Sequence, residues 1–344
     1  MRILIADQLA PRAIANLRSL GHTCDVRSHL SADQLPHEVT GYEALVVRST
    51  EVTSGTIDAS DRLNLIIRAG AGTDTIDTAA AAEAGIYVCN VPGTNSIAVA
   101  ELTLGLVLAL DRSIPDNVVE LRAGRWNKRR FSQSKGLYGR RIGIVGLGEI
   151  GLAVAERAAA FGLEVYALKK ADRAPQTLER CAAIPVSFVP DLEALASTCD
   201  ILTFHVPATN ETRGIIGADL LAHIQPGASI INTSRGELVD EQALVEAMDT
   251  KGIRCGLDVY EDEPAAGEAR FESALAGHPN VYGTHHIGAS TAQAQDATAA
   301  EVIRIVELFE QGTVLHGVNV EAATRARRHR AGHPGRGQAP DFRR

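Results

Sequence analysis

The stretch from Gly139 to Lys170, GRRIGIVGLGEIGLAVAERAAAFGLEVYALKK, constrains the fold more than any other part of the chain. Arg141–Val145 is a short apolar run and reads as a strand. Gly146-Leu147-Gly148-Glu149-Ile150-Gly151 follows at once. Leu152–Phe161 is Ala-rich with helical composition, and Gly162 is a fitting C-terminal stop. Leu163–Leu168 is a second β-like run. Strand, glycine turn, helix and strand in this order make the βαβ unit in which GxGxxG binds a dinucleotide. Gly146 permits the tight turn, Gly148 lets backbone approach a pyrophosphate, and Gly151 lets helix and strand pack closely. The helix start then offers N–H groups and a positive dipole end to the phosphates.

The second strand of such a unit normally ends in Asp or Glu, which accepts from the ribose hydroxyls. Here Lys169 and Lys170 stand in that place, followed by Ala171, Asp172 and Arg173. An ammonium pair cannot accept from a hydroxyl, but it can neutralise a 2′-phosphate. Two readings stand: the lysines favour NADP, or Lys169 is solvated and Asp172 serves the ribose.

A length of 344 residues suggests two domains. The net charge of -8 excludes a nucleic-acid footprint over the whole chain. The start, MRILIADQLA, reads as a strand and lacks the pattern of a signal peptide. The most apolar stretch, Ile97–Leu110, is too short to span a bilayer and contains Glu101. Cys24, Cys89, Cys181, Cys199 and Cys255 are scattered without a CxxC, which fits reduced thiols and a cytoplasmic location, with no metal site.

Residues 1–92 alternate strand-like and helix-like segments, which argues for a parallel α/β sheet. Strands are expected at Arg2–Ala6, Thr23–Val26, Ala44–Arg48, Leu65–Ala69 and Gly85–Asn90. Gly70, Ala71 and Gly72 sit past a strand's carboxyl end, where small residues free N–H groups to hold a carboxylate. Ser96 is a good N-cap for the apolar helix after it. That helix is apolar nearly all round, so it is expected to be buried, with a homodimer interface as its cover. The basic run Arg122–Arg130 carries the only Trp. Further strands are expected at Asp200–His205, Ser229–Thr233, Gly256–Tyr260 and Val281–Thr284, each ending in polar residues. Ala292–Gln311 reads as a long helix returning to the first domain. The expected division is therefore 1–92 with 290–320 as the substrate domain, and 93–289 as the dinucleotide-binding domain. From Glu321 the Arg-, Gly- and Pro-rich composition predicts a disordered basic tail, 321–344.

The motifs VVRST, RAGAGTDTID, NVPGTNSIAVAELTLGLVLAL, IGIVGLGEIG, HVPATNET, INTSRGELVDEQAL, GLDVYEDEP and HHIGAST resemble, in order and spacing, the D-isomer-specific 2-hydroxyacid dehydrogenases. HHIGAST followed by AQAQ is most similar to the 3-phosphoglycerate dehydrogenase branch, which catalyses the first step of L-serine synthesis. The resemblance implies two doubly wound parallel-sheet domains, Rossmann-like and flavodoxin-like, with the active site in the cleft between them. It implies His286 as acid–base group, Glu263 as the carboxylate that orients it, and Arg235 as the guanidinium that holds the substrate carboxylate. Those types suit the chemistry: His titrates near working pH, a carboxylate favours imidazolium, and a guanidinium grips a carboxylate bidentately.

For the cofactor, NAD or NADP, the resemblance implies Gly146, Gly148, Glu149, Ile150 and Gly151 at the turn. It adds Val206, Pro207, Thr233, Ser234, Asp258 near the nicotinamide amide, and His286 through Gly288 and Ala289. Lys169 departs from the family's Asp, and Ala71 replaces a hydroxyl residue. Arg48 and Lys128 match basic positions that phosphoglycerate dehydrogenases use, with Arg68 a further candidate. The partner is then a small 2-hydroxy or 2-oxo acid, not nucleic acid or membrane. An NADPH-dependent glyoxylate or hydroxypyruvate reductase is an alternative. A corepressor-like nucleotide sensor is a third, for which an intact Arg235, Glu263 and His286 set has no use.

Overall fold

The computed structural model describes residues 1–171, 173–264 and 268–331. The chain divides into two compact units: Met1–Asn95 with the chain from Ala292 onward, and Ser96–Thr291.

The first unit begins β1 (Arg2–Ile5), α1 (Pro11–Ser19), β2 (Thr23–Val26), α2 (Leu35–Glu38), β3 (Ala44–Val47), α3 (Ser54–Ala59), β4 (Leu65–Arg68), α4 (Thr78–Glu83) and β5 (Tyr87–Cys89). Its five strands are parallel in the order β2-β1-β3-β4-β5, the flavodoxin-like order. Alternate strand residues feed two cores. Ile3, Ile5, Val46 and Ile67 face one side, and Leu4, Leu45, Ile66 and Val88 the other. Strands buried on both faces need apolar residues at every position, which is why these runs lack the half-polar alternation of an exposed sheet.

The second unit holds α5 (Ser96–Arg112), α6 (Ile114–Arg122), α7 (Lys128–Phe131), β6 (Arg141–Val145), α8 (Glu149–Ala160), β7 (Glu164–Leu168), α9 (Pro175–Ala183), β8 (Val186–Val189), α10 (Leu192–Thr198), β9 (Ile201–Phe204), α11 (Ala218–His223), β10 (Ser229–Asn232), α12 (Glu241–Lys251), β11 (Arg254–Leu257) and β12 (Val281–Gly283). Its seven parallel strands run β12-β11-β10-β9-β6-β7-β8. The order reverses between β6 and β9, the switch point at which a Rossmann sheet binds its nucleotide. One face of α5 finds its cover inside its own unit: Ala100, Leu104, Leu106, Val107 and Leu110 join the core that holds Ile144, Leu152 and Ile231. Its opposite face stays open within the unit, with Ile97 47% exposed and Glu101 and Gly105 also exposed.

The chain then returns to the first unit as α13 (Ala292–Glu310) and α14 (Val320–Ala331). Val302, Ile305, Val306 and Phe309 of α13 complete one core of the five-stranded sheet.

Helix α14 corrects the expectation of a disordered tail from residue 321. Ala323 is fully buried. The Arg327 guanidinium stacks on the Tyr87 ring at 4.6 Å, and it donates to the carbonyl of Gly85 and to Asn64 Oδ1 at 2.9 Å. The Thr324 and Tyr87 hydroxyls lie 3.0 Å apart. The run looked too polar to fold because Arg counts as solvated, yet a long Arg side chain covers apolar surface while its head finds acceptors. The rest of the expected tail, 332–344, lies outside the described residues.

Candidate active site

Strand register builds this site. Val145 of β6 and Asn232 of β10 both pair with Phe204 of β9, Asn232 with Leu257 of β11, and Leu257 with Gly283 of β12. The next residue of each chain segment, Gly146, His205, Thr233, Asp258 and Thr284, therefore leaves the sheet along one edge. Parallel pairing puts all of these carboxyl ends on the same side.

At the switch point Gly146 has φ +98°, and a Cβ there would lie 2.4 Å from the His205 carbonyl oxygen. A Cβ on Gly151 would lie 1.9 Å from the Gly146 carbonyl oxygen. Both positions are closed to any side chain. Gly148 differs, since a Cβ there meets nothing within 4 Å. Open space at the uncapped start of α8 suits a pyrophosphate. Glu149 and Ile150 open that helix, and the Glu149 carboxylate is held at 2.9 Å by Arg180, which also binds Glu156. This guanidinium offsets a carboxylate that would otherwise repel phosphate.

His205 follows the end of β9. Burial pushes its pKa down to about 3. Its Nε2 lies 2.9 Å from Thr203 Oγ1. Val206 is half-buried and Pro207 exposed beyond it.

Asn232, fully buried, braces the next strand end. Its Oδ1 accepts from the Ser234 N–H at 3.0 Å, and its Nδ2 donates to the Arg235 carbonyl at 2.7 Å. Ser234 Oγ donates to the Phe204 carbonyl. Thr103 Oγ1 donates to the Val99 carbonyl at 2.8 Å and lies 3.0 Å from Thr233 Oγ1. One hydroxyl has one proton, so Thr233 is the donor of that pair and keeps acceptor capacity for a ligand. Gly236 is wedged against the Tyr260–Glu261 peptide, where a Cβ would lie 2.0 Å from the Tyr260 carbonyl carbon. That contact sets Arg235 beside the segment that carries Glu263.

The Glu263 carboxylate bonds the Nδ1 of His286. Its second oxygen accepts from the Tyr260 N–H at 3.4 Å. Burial alone would raise the Glu263 pKa. The His286 bond and charge, the Tyr260 N–H and the Arg235 charge outweigh it and hold the carboxyl below its usual range. His286 is half-exposed with φ +51°, a left-handed conformation that few non-Gly residues adopt. The structure thus brings Arg235, Glu263 and His286 together at one sheet edge. Asp258 is buried beneath the His286 loop, which Gly288 and Ala289 continue.

Lys169 and Lys170 follow β7 directly and are exposed. Arg173 folds back, donating to the Leu168 carbonyl and stacking on Phe188. No carboxylate pairs with either lysine among the described residues, and Asp172 lies outside them.

Lys128 opens α7 and is exposed. Its neighbours Arg125 and Arg130 are neutralised by Glu120, whereas no carboxylate pairs with Lys128 among the described residues. In the first unit, Asp7 Oδ2 accepts the backbone N–H groups of Arg48, Ser49 and Thr50 at 2.6, 3.0 and 3.0 Å. The carboxylate fixes the loop that carries Arg48. The Arg68 guanidinium lies across Gly70, where a Cβ would fall 1.6 Å from Nη1. Asn90 Nδ2 donates to the Ala71 carbonyl, and Gly72 follows in the same loop. Asp7, Asn232 and Thr284 were missed from the sequence, where only a polar residue at a strand end marked them.

Residues 104–288 match the family model described as D-isomer specific 2-hydroxyacid dehydrogenase, NAD binding domain. The chain belongs to the D-isomer-specific 2-hydroxyacid dehydrogenases. A hydroxypyruvate reductase of Thermotoga maritima is 40% identical over 86% of this chain and 93% of its own. A D-3-phosphoglycerate dehydrogenase of Methanocaldococcus jannaschii is 39% identical over 92% of this chain; the chain spans 59% of that relative's length. An NADPH-dependent glyoxylate/hydroxypyruvate reductase from Sinorhizobium meliloti, solved in complex with NADP and malonate, superposes with a TM-score of 0.79 at 30% identity over 93% of this chain and 97% of its own. As in other members of this dehydrogenase family, the cofactor is a nicotinamide dinucleotide, NAD or NADP. The open glycine turn and the uncapped α8 start fit it.

Proposed function

We propose that this protein is an NAD(P)-dependent oxidoreductase that oxidises D-3-phosphoglycerate to 3-phosphohydroxypyruvate. The observation that carries the reading is the Glu263–His286 pair beside Arg235 at the edge where the nucleotide turn opens. The glycine turn and the start of α8 would hold the nicotinamide dinucleotide, whose ring would supply or accept the hydride. The chain's own part is a proton and a charge. His286, tied to Glu263 through Nδ1, offers Nε2 to the substrate oxygen: it takes the hydroxyl proton during oxidation and returns it during reduction. Glu263 stabilises the resulting imidazolium. Arg235 binds the substrate carboxylate, and Arg48 and Lys128 are the proposed contacts to a substrate phosphate.

A second reading is an NADPH-dependent glyoxylate or hydroxypyruvate reductase. Lys169 and Lys170, unpaired by any described carboxylate at the end of β7, favour it. Initial rates with 3-phosphoglycerate, glyoxylate and hydroxypyruvate, each with both nicotinamide cofactors, separate the two. A kcat/KM highest for 3-phosphoglycerate supports the first reading, and one highest for a two- or three-carbon oxo acid with NADPH supports the second.

We further propose a homodimer. Support comes from exposed apolar residues of α5 and α6: Val119 and Leu121 are 62% and 56% exposed, with Ile97, Ile114 and Val118 also in water. Light scattering at micromolar concentration tests it, and a monomer mass refutes it. All five cysteines are buried and unpaired, which supports a reducing, cytoplasmic setting. No helix among the described residues is long and apolar enough to cross a membrane.

A further inference from the structure

His286 sits in a left-handed backbone conformation, and something must hold it there. The bonds around it converge on Asp258. That residue is 1% exposed, and no cation pairs with its carboxylate among the described residues. Its Oδ1 accepts from Thr284 Oγ1 at 2.6 Å and from the Ile287 N–H at 2.8 Å. Its Oδ2 accepts from the Gly288 N–H at 2.9 Å. Its carbonyl accepts the His286 N–H at 2.8 Å, and its own N–H donates to the Asn232 carbonyl. A buried carboxylate without a counter-ion persists only when donors satisfy both oxygens. Here the donors all come from the loop that carries His286.

Three of these donors are backbone groups, which belong to any residue. The fourth is a side chain. The Thr284 hydroxyl has a single proton, and it goes to Asp258. Thr284 also starts the loop, since its N–H donates to the Leu257 carbonyl at 2.9 Å. It therefore couples the end of β12 to the end of β11 by one short, charge-assisted bond. With both carboxylate oxygens engaged by the chain, the first task of Asp258 is to shape this loop, whatever it also offers a nicotinamide amide.

We propose that Thr284 is a positioning residue: through the Asp258 carboxylate it holds residues 284–288 in the turn that presents His286 to Glu263. The proposal rests on His286 being the acid–base group. Its test separates the two ideas, because one of the readouts needs no turnover.

The variants are Thr284→Val, which keeps the shape and removes the donor, and Thr284→Ser, which keeps the donor. In the first readout, hydrogen exchange is followed in the free protein at the Ile287 and Gly288 amides. Both are expected to stay protected in the parent and in Thr284→Ser, and to exchange faster in Thr284→Val. In the second, a misaimed base lowers the single-turnover rate in Thr284→Val by about 10- to 100-fold. The cofactor Kd shifts less than about twofold, and Thr284→Ser recovers the rate. Should Thr284→Val not fold, Thr284→Ala carries the same comparison. Unchanged exchange in Thr284→Val overturns the proposal, as does a Thr284→Ser variant as impaired as Thr284→Val. A loss confined to cofactor Kd overturns it too. Faster exchange with an unchanged turnover rate would also overturn it, since Thr284 would then not set the aim of His286; the acid–base assignment itself is tested separately by His286→Ala.

Discussion

Glu263 holds His286 through Nδ1, which leaves Nε2 as the ring nitrogen without a partner among the described residues. One contact thus fixes both the ring's orientation and the atom that faces a substrate. Glu263→Gln keeps the shape and loses the charge that stabilises imidazolium, so kcat/KM should fall by about 10- to 100-fold. The sign of its pH effect follows from the lowered pKa. A carboxyl whose folded pKa lies below the unfolded 4.5 adds stability above pH 4.5, and that contribution is lost as pH falls through the folded value. The Tm gap between parent and Glu263→Gln should therefore be present at neutral pH and close below about pH 4.5. Glu263 is one-third exposed, so the gap should be small. A gap that widens in acid contradicts the ion-pair reading.

His205 makes the opposite demand. Burial holds it neutral with a pKa near 3, whereas an unfolded His titrates at 6.5. Between these values the unfolded chain binds the extra proton, so stability falls as pH drops below about 6.5 and is flat above it. His205→Gln should flatten the Tm-versus-pH curve between about pH 6.5 and 4. An unchanged slope would mean that other groups set the acid sensitivity.

Arg327 is expected to carry stability, not activity. Arg327→Ala loses the Tyr87 stack and the bonds to Gly85 and Asn64. Losses of about 1–3 kcal/mol correspond to a Tm lower by several degrees in a protein of this size. Truncation after Val320 should cost more, since it also uncovers the site of Ala323. An unaltered Tm in the truncated chain would show that α14 is not part of the first unit's fold.

Lys169→Asp should move cofactor preference toward NAD. It restores an acceptor for the ribose hydroxyl and removes a cation from the place where a 2′-phosphate would lie. A charge-assisted contact is worth about 10- to 100-fold in affinity. The ratio of kcat/KM for NADP over NAD measures it. A parent enzyme that favours NAD by more than about tenfold would assign these lysines to solvent.

Much of the second unit was legible because its chemistry sits where strands stop. An apolar run must end in residues that tolerate water or carry function, so the polar clusters at the strand ends stood out, and the family resemblance singled out Arg235, Glu263 and His286 within them. Edge elements were harder. The strand Val186–Val189 escaped notice because it is a run of only four residues closed in between Pro185 and Pro190. Strand β11 starts at Arg254, two residues before the expected Gly256. Arg254 stacks on Tyr282 and donates to the Leu110 carbonyl, bonds that exist only once distant segments meet. The same reason hid Thr284 and Asp7, whose partners lie 26 and 41–43 residues away in sequence. Helix α14 was misread because Arg327 counts as polar in composition but packs its long side chain on Tyr87.

The central claim is that His286 exchanges a proton with the substrate oxygen at this edge. Single-turnover absorbance of the reduced nicotinamide, in parent and His286→Ala with substrate saturating, tests it most directly. A general acid–base group contributes about 10²- to 10⁴-fold, so the rate constant should fall by that factor with cofactor affinity and Tm retained. A loss of less than about tenfold in that same step would contradict it.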